Sequence, residues 1–248
     1  MWEKKIKGNF KIAFIGAGRF GFFFGSLINQ YEEVLFYDKI GNKKNFENFG
    51  TLEQCLQVDF IFLTIPISEI ESFIREHGAK IKPGAVVVDC ASVKVSVLNW
   101  FKSSLPEGVE YVLTHPLFGP DSARKGLKGH QITMMPGRVA ALRYRFLVQL
   151  FEDKLGLLPL SMDAHEHDRL MAYNLSLIHH LGRALGDMDI FNVPLKMRGL
   201  SDLNRIAHFT MNDSDTLFKD FYRYNPYSHE IREKFEESFN KITKIFLN

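Results

Sequence analysis

The six residues Gly16-Ala17-Gly18-Arg19-Phe20-Gly21 stand directly after the apolar run Lys11–Ile15 and directly before a helical pattern that continues to about Asn29. A glycine motif of this kind is common by itself. Set between a strand and a helix, with an acid about 20 residues further on, it constrains the chain to a βαβ unit that cradles a dinucleotide. Gly16 allows the tight turn, Gly18 lets the backbone approach a pyrophosphate, and Gly21 lets helix pack on strand. The helix then offers unpaired N–H groups and the positive end of its dipole to the phosphates. A flexible glycine turn in a fold without cofactor is the alternative.

The pattern that follows agrees with a doubly wound sheet. Strands are expected at Val34–Tyr37, Phe60–Thr64, Ala85–Val88, Tyr111–Thr114, Gln131–Met135 and Leu157–Leu160, with helices leading to His77 and spanning about Val139 to Phe151. Strands alternating with helices argue for an α/β fold, a Rossmann-type, mostly parallel sheet. After Leu160 the strands stop. Asp163-Ala164-His165-Glu166 reads as a capping box opening a long helix to about Gly186, and the rest reads as helical. The expected organisation is a nucleotide-binding domain over 1–161 and a small all-helical domain over 162–248, to which the resemblance named below assigns substrate binding and dimerisation.

Composition excludes several classes. The 31 basic and 29 acidic residues leave a net charge of +2, so no field suited to nucleic acid arises. No uncharged apolar run approaches the roughly 18 residues of a membrane span, and no secretory leader is visible. Cys55 and Cys90 are the only cysteines, read as reduced thiols with a disulfide as the alternative, and no Cys/His cluster has zinc spacing. A cytoplasmic protein without a metal is expected.

Asp38 ends the second strand, where a carboxylate accepts hydrogen bonds from ribose hydroxyls and repels a 2′-phosphate. NAD is thereby favoured over NADP, although Lys39, Lys43 and Lys44 lie nearby; a plain turn aspartate is the other reading. Thr64 and Pro66, at the exit of the third strand, join Ala17, Arg19, Phe20 and Ser92 as cofactor-side candidates. Phe22, Phe23 and Phe24 are expected to pack in the core, as a helix on a sheet requires. His115 follows the fifth strand within Thr114-His115-Pro116-Leu117-Phe118-Gly119-Pro120-Asp121-Ser122, and Ser92 follows the fourth within Asp89-Cys90-Ala91-Ser92-Val93-Lys94. Both would project from the carboxyl edge of the sheet, where such folds bind ligands. A neutral imidazole, with an ordinary pKa of about 6.5, suits acceptance of a hydroxyl proton. A rigid His-Pro turn is the alternative for His115, and a helix N-cap the alternative for Ser92.

These segments, together with His167-Asp168-Arg169-Leu170-Met171-Ala172, resemble the TyrA family of prephenate and arogenate dehydrogenases over roughly residues 11 to 225. The resemblance implies an oxidative decarboxylation: hydride leaves the ring carbon bearing a 4-hydroxyl for NAD(P)+, carbon dioxide departs, and the ring becomes aromatic. It implies that His115 accepts the hydrogen bond of that hydroxyl with help from Ser92, that Thr114 and His179 contact substrate, and that Arg205 binds a substrate carboxylate. At about 100° per residue, Asp168, Ala172, Leu175, His179 and Gly182 share one helix face. His180 points elsewhere, and Phe218 matches a substrate-proximal aromatic only loosely. The family's helical domain usually forms an intertwined homodimer; here about 87 residues remain for it, so its last helices are expected to be short or absent. A fused chorismate mutase or regulatory ACT domain is not expected, nor is feedback through such a domain.

The leading expectation is therefore an NAD-dependent prephenate dehydrogenase of tyrosine biosynthesis, with arogenate as the alternative substrate. Imine-reducing or β-hydroxyacid dehydrogenases share the cradle, but Thr114–Ser122 argues against them. A nucleotide-sensing module without catalysis is the remaining reading.

Overall fold

The computed structural model describes residues 10–41 and 48–245. They divide into two compact units, one of residues up to Ala91 with Val97–Asp163, the other of Ser92–Ser96 with residues from Ala164 onward.

The first unit is built on a seven-stranded sheet of order β2-β1-β3-β4-β5-β6-β7. Its strands are β1 (Ile12–Ile15), β2 (Val34–Tyr37), β3 (Phe60–Leu63), β4 (Val86–Asp89), β5 (Glu110–Pro116), β6 (Gln131–Pro136) and β7 (Leu158–Ser161). Every pairing is parallel except β5 with β6. The central strands IAFI, FIFL and VVVD are buried at every residue. Such unbroken burial is what a parallel sheet covered on both faces demands. β7, with Pro159, closes one edge and is half exposed, consistent with proline's inability to donate to a further strand.

One face of the sheet carries an aromatic core. Phe14 stacks on Phe62 with centroids 4.7 Å apart, and Phe24 meets Phe14 edge-on at 6.0 Å. Phe24 comes from α1 (Arg19–Ile28) and is fully buried, while Phe20, Phe22 and Phe23 pack partly buried against the same core. Each fully buried phenylalanine of this kind contributes about 1.5–3 kcal/mol by transfer from water. The other helices of this unit are α2 (Leu52–Leu56), α3 (Ile67–His77), α4 (Val95–Ser104), whose first two residues count with the second unit, and α5 (Ala141–Gln149).

The register explains where β5 ends. Asp89, the last residue of β4, pairs with Leu113, whereas Thr114, His115 and Pro116 pair only with β6. Three residues of β5 thus run past the end of β4, held from one side by an antiparallel neighbour.

The second unit is helical: α6 (Ala164–Met171), a π-helical stretch Ala172–Leu177, α7 (Ile178–Asp187), α8 (Arg198–Met211), α9 (Asp215–Tyr224) and α10 (Ser228–Ile245). α7 and α8 cross closely at Gly182, where an added Cβ would lie 2.3 Å from Thr210 Oγ1. Two expectations are corrected here. The π-helical stretch takes more residues per turn than an α-helix, so Ser176 is buried in line with Asp168, Ala172 and His179 while Leu175 is only half-buried. And the final helix, far from short, is the longest at 18 residues.

Candidate active site

The glycine turn behaves as its spacing requires. Gly16 has φ +103°, and a Cβ there would lie 2.6 Å from the Thr64 carbonyl carbon. A Cβ on Gly21 would lie 2.0 Å from the Gly16 carbonyl oxygen, yet one on Gly18 would meet nothing within 4 Å. Gly16 and Gly21 are therefore fixed by packing, and Gly18 faces open space. Gly18 is also the N-cap of α1, with no side chain to satisfy the helix's first N–H groups and no acid in the first turn. An anion fits such a terminus.

A cleft of about 340 Å³ opens there, lined among others by Gly16, Gly18, Asp38, Thr64 and Pro66. It lies at the carboxyl ends of β1, β2 and β3, where the strand order reverses, the expected ligand position in an open α/β sheet. A larger hollow of about 490 Å³, at Lys11, Glu33 and Gln57, sits at the amino ends and has no glycine turn.

The residues around the cleft have distinct tasks. Thr64 Oγ1 donates to the Gly16 carbonyl at 2.7 Å and fixes the turn from β3. Pro66 is the N-cap residue of α3. Asp38 Oδ1 accepts from the Ile40 N–H at 2.9 Å. Lys39, which could have drawn a 2′-phosphate, is paired with Glu69 at 2.6 Å; Lys43 and Lys44 lie outside the described residues. Ala17 packs on the core. Phe20 stands beside Phe24 and Phe118, at 5.6 and 6.3 Å, as part of the aromatic cluster.

At the far end of β5, His115 is buried, 8% exposed, and register puts it directly across from Thr133 on one sheet face. Thr114 points to the opposite face, and its hydroxyl donates to the Asp89 carbonyl at 2.6 Å, so it clamps β4 to β5. The turn that follows is closed by Ser122, whose Oγ accepts from the Gly119 N–H at 2.9 Å. Asp121 then binds both Arg124 and Arg19. These hydrogen bonds, Arg124 first and Arg19 second, hold its carboxyl below the usual range. The loop after His115 is thereby tied to the first residue of α1, a link the sequence did not announce.

In the helical unit, Ser92 is buried and its Oγ has no hydrogen-bond partner among the described residues. It is not an N-cap. α4 begins at Val95, and its leading N–H groups go instead to Asp168, from Lys94 at 2.7 Å and from Val95 at 2.9 Å. His167 Nδ1 completes the set on Asp168 Oδ1 at 2.8 Å, with both side chains fully buried. Burial, then the nearby Lys94 charge, pushes His167 down to about 3. Burial also pushes Asp168 up to about 6, against its two backbone donors.

His179 has no solvent exposure and lies among Phe209, Phe218 and Phe221, with centroids 5.0–6.4 Å away. Its Nε2 is 3.4 Å from Asp213, yet neither ring nitrogen makes a hydrogen bond. Burial, with a smaller push from Arg183, lowers its pKa to about 4. The ring is neutral at physiological pH, so the approach to Asp213 is no ion pair there. His180 is half-buried beside the Tyr222 ring. Arg205 stands apart: its side chain is 81% exposed and pairs with Asp202 one turn back, while α8 buries Asn204, Ala207 and Thr210.

A parallel sheet reversing its order at an uncapped glycine turn, followed by a helical unit, defines a Rossmann-type nucleotide-binding protein. Residues 38–142 match the family described as prephenate dehydrogenase, nucleotide-binding domain, and residues 184–248 match a TYRAAT1-like C-terminal domain. Arogenate dehydrogenases 1 and 2 of Arabidopsis thaliana, both called chloroplastic, are 26% and 27% identical over 95% and 98% of the chain. The chain spans 39% of the first relative's length and 73% of the second's. Among solved structures, prephenate dehydrogenase from Aquifex aeolicus, in complex with hydroxyphenyl propionate and NAD+, has a TM-score of 0.77 at 19% identity, covering 98% of this chain and 92% of that one. Arogenate dehydrogenase from Synechocystis has 0.69 at 18%, covering 96% and 92%. In the matched residues 38–142, and along most of its length, the chain is similar to prephenate and arogenate dehydrogenases.

Proposed function

We propose that this chain uses NAD+ to decarboxylate prephenate oxidatively to 4-hydroxyphenylpyruvate, with arogenate as the alternative substrate, giving tyrosine directly. The observation that carries the reading is the cleft that joins the open face of Gly18 to Asp38, in a chain similar to prephenate and arogenate dehydrogenases. Gly16, Gly18 and the first N–H groups of α1 would hold the pyrophosphate, and Asp38 the adenosine ribose. Bound NAD+ supplies the acceptor for the hydride leaving the substrate ring.

His115 then accepts the hydrogen bond of the ring hydroxyl and orients it, and the phenol product keeps that proton. Ser92 supports the same hydroxyl, its Oγ being uncommitted within the protein. Because aromatisation drives the loss of carbon dioxide, the residues' task is positioning and polarisation. His179, neutral and ringed by phenylalanines, suits contact with a substrate ring. Arg205 has a planar fork suited to a carboxylate, but its exposure fits a role completed by a second copy. Large apolar side chains exposed on the helical unit, Met188, Leu195 and Met197 at 75–80%, support a homodimer through it.

The test is a side-by-side assay of prephenate and arogenate with NAD+ and NADP+, repeated on His115→Asn. Turnover with NAD+ that falls by orders of magnitude in the variant is expected. Full activity of the variant removes His115 from the mechanism. NAD+ binding without turnover of either substrate would favour a nucleotide-sensing module.

A further inference from the structure

We propose that Asp168, oriented by His167, is a positioning residue that holds the segment Ser92–Ser96 on the helical unit and so leaves the Ser92 hydroxyl free for substrate. This rests on the reading of Ser92 as a substrate-assisting residue, and it gives a task to a sequence motif that otherwise has none.

A helix start needs acceptors for its first N–H groups, and a serine just before it is an ordinary supplier. Here the acceptor comes from 74 residues away: Asp168 takes the N–H groups of Lys94 and Val95, one on each carboxylate oxygen. A buried carboxylate is costly unless its lone pairs are satisfied. Asp168 receives three donors, two from the backbone and one from His167 Nδ1. It also faces the positive end of the α4 dipole. His167 is neutral, so its Nδ1–H donates and it adds no charge to the buried Asp168 carboxylate and Lys94 ammonium.

The same segment is fastened a second time. Ser96 Oγ donates to the Tyr224 carbonyl at 2.7 Å, and Asn225 Nδ2 donates to the Asp168 carbonyl at 2.8 Å. One hub thus ties α6, the end of α9 and the five residues that contain Ser92. Those five residues are joined covalently to β4 on one side and to the rest of α4 on the other. Within this arrangement Ser92 Oγ is buried and unpartnered. An unmade hydrogen bond of this kind is destabilising, and a bound substrate hydroxyl would relieve it.

Two measurements on the full chain decide the matter. In Asp168→Asn one backbone N–H loses its acceptor, and amide hydrogen exchange across residues 92–96 should quicken at least tenfold while β1–β4 are unchanged. Asp168→Glu keeps both oxygens one methylene further out. It should restore most of the protection, and it serves if the asparagine variant does not fold. Turnover should fall about tenfold in Asp168→Asn, yet add less than twofold to Ser92→Ala in the double variant. Unchanged exchange at 92–96 overturns the proposal, as do fully additive losses in the double variant. Absence of turnover in the unmodified protein would count against the activity itself, and exchange alone would then decide what Asp168 does.

Discussion

In the sheet unit the candidate site is made chiefly of backbone: a left-handed Gly16, an uncapped α1, and a Gly18 whose missing side chain leaves the approach open. Arg205 apart, the candidate residues of the helical unit are buried side chains, with His167, Asp168 and His179 all fully enclosed. The first kind of site tolerates no added atoms at Gly16 and Gly21, and little in it depends on pH. The second tolerates changes of shape better, yet it keeps ionisable groups out of water and must answer to protons. A backbone site breaks by sterics, a side-chain site by charge.

The sharpest break in that comparison lies within the glycine turn itself. Gly21→Ala places a methyl 2.0 Å from the Gly16 carbonyl oxygen and 2.4 Å from Thr64 Oγ1. Neither neighbour can yield without opening the turn, so a loss of about 3 kcal/mol or more is expected. Gly18→Ala, meeting nothing within 4 Å, should cost less than about 0.5 kcal/mol while weakening NAD+ binding about tenfold. Urea unfolding and NAD+ titration of both variants check this. Equal destabilisation would mean that the two glycines do not differ in role.

For the helical unit the matching test is acid. The pKa of His179 is pushed by burial to about 4 in the folded chain, against about 6.5 unfolded. As pH falls below 6.5 the unfolded chain takes up the proton first. The stability that neutral His179 confers is thus full above pH 6.5 and is lost progressively down to about 4. At 1.36 kcal/mol per pKa unit this reaches at most about 3 kcal/mol. Melting temperature followed from pH 7 to pH 4 should fall, and His179→Gln should flatten the curve. An unchanged slope in the variant would show that His179 is not the group involved.

The same contrast explains what the sequence could reveal. The sheet and the glycine turn are local: IAFI, FIFL and VVVD announce buried parallel strands, and GAGRFG announces its own backbone. The capping of α4 by Asp168 is a contact across 74 residues, which no periodicity encodes, so Ser92 read equally well as an N-cap. His167-Asp168 was visible as a motif, but its task needed the fold. The π-helical stretch Ala172–Leu177 has no sequence signal such as proline, and it moved Leu175 off the buried face. Nor did residue type reveal the Arg19–Asp121 pair, which joins two motifs 102 residues apart.

A smaller effect is expected at the cleft's rim. With Lys39 held by Glu69 at 2.6 Å, that lysine does less to offset the repulsion of a 2′-phosphate by Asp38. Catalytic efficiency should favour NAD+ over NADP+, and Asp38→Ser should narrow that ratio about tenfold, equivalent to about 1.4 kcal/mol. Equal efficiencies in the unmodified protein would remove Asp38 as the determinant.

The smallest effect on stability belongs to Arg205, and there the two kinds of site part most clearly. Its guanidinium is 81% exposed and its pair with Asp202, itself 51% exposed, spans one helical turn. Exposed pairs of this kind contribute well under 1 kcal/mol. Arg205→Ala should therefore leave the unfolding midpoint within experimental error. If the arginine reaches a substrate carboxylate in a second copy, the same variant should raise KM at least tenfold with kcat little changed, since binding alone is lost. Activity per chain should then also fall on dilution, as the copies separate. A variant with unaltered KM, in a protein whose specific activity is independent of concentration, would return Arg205 to the solvent face on which α8 displays it.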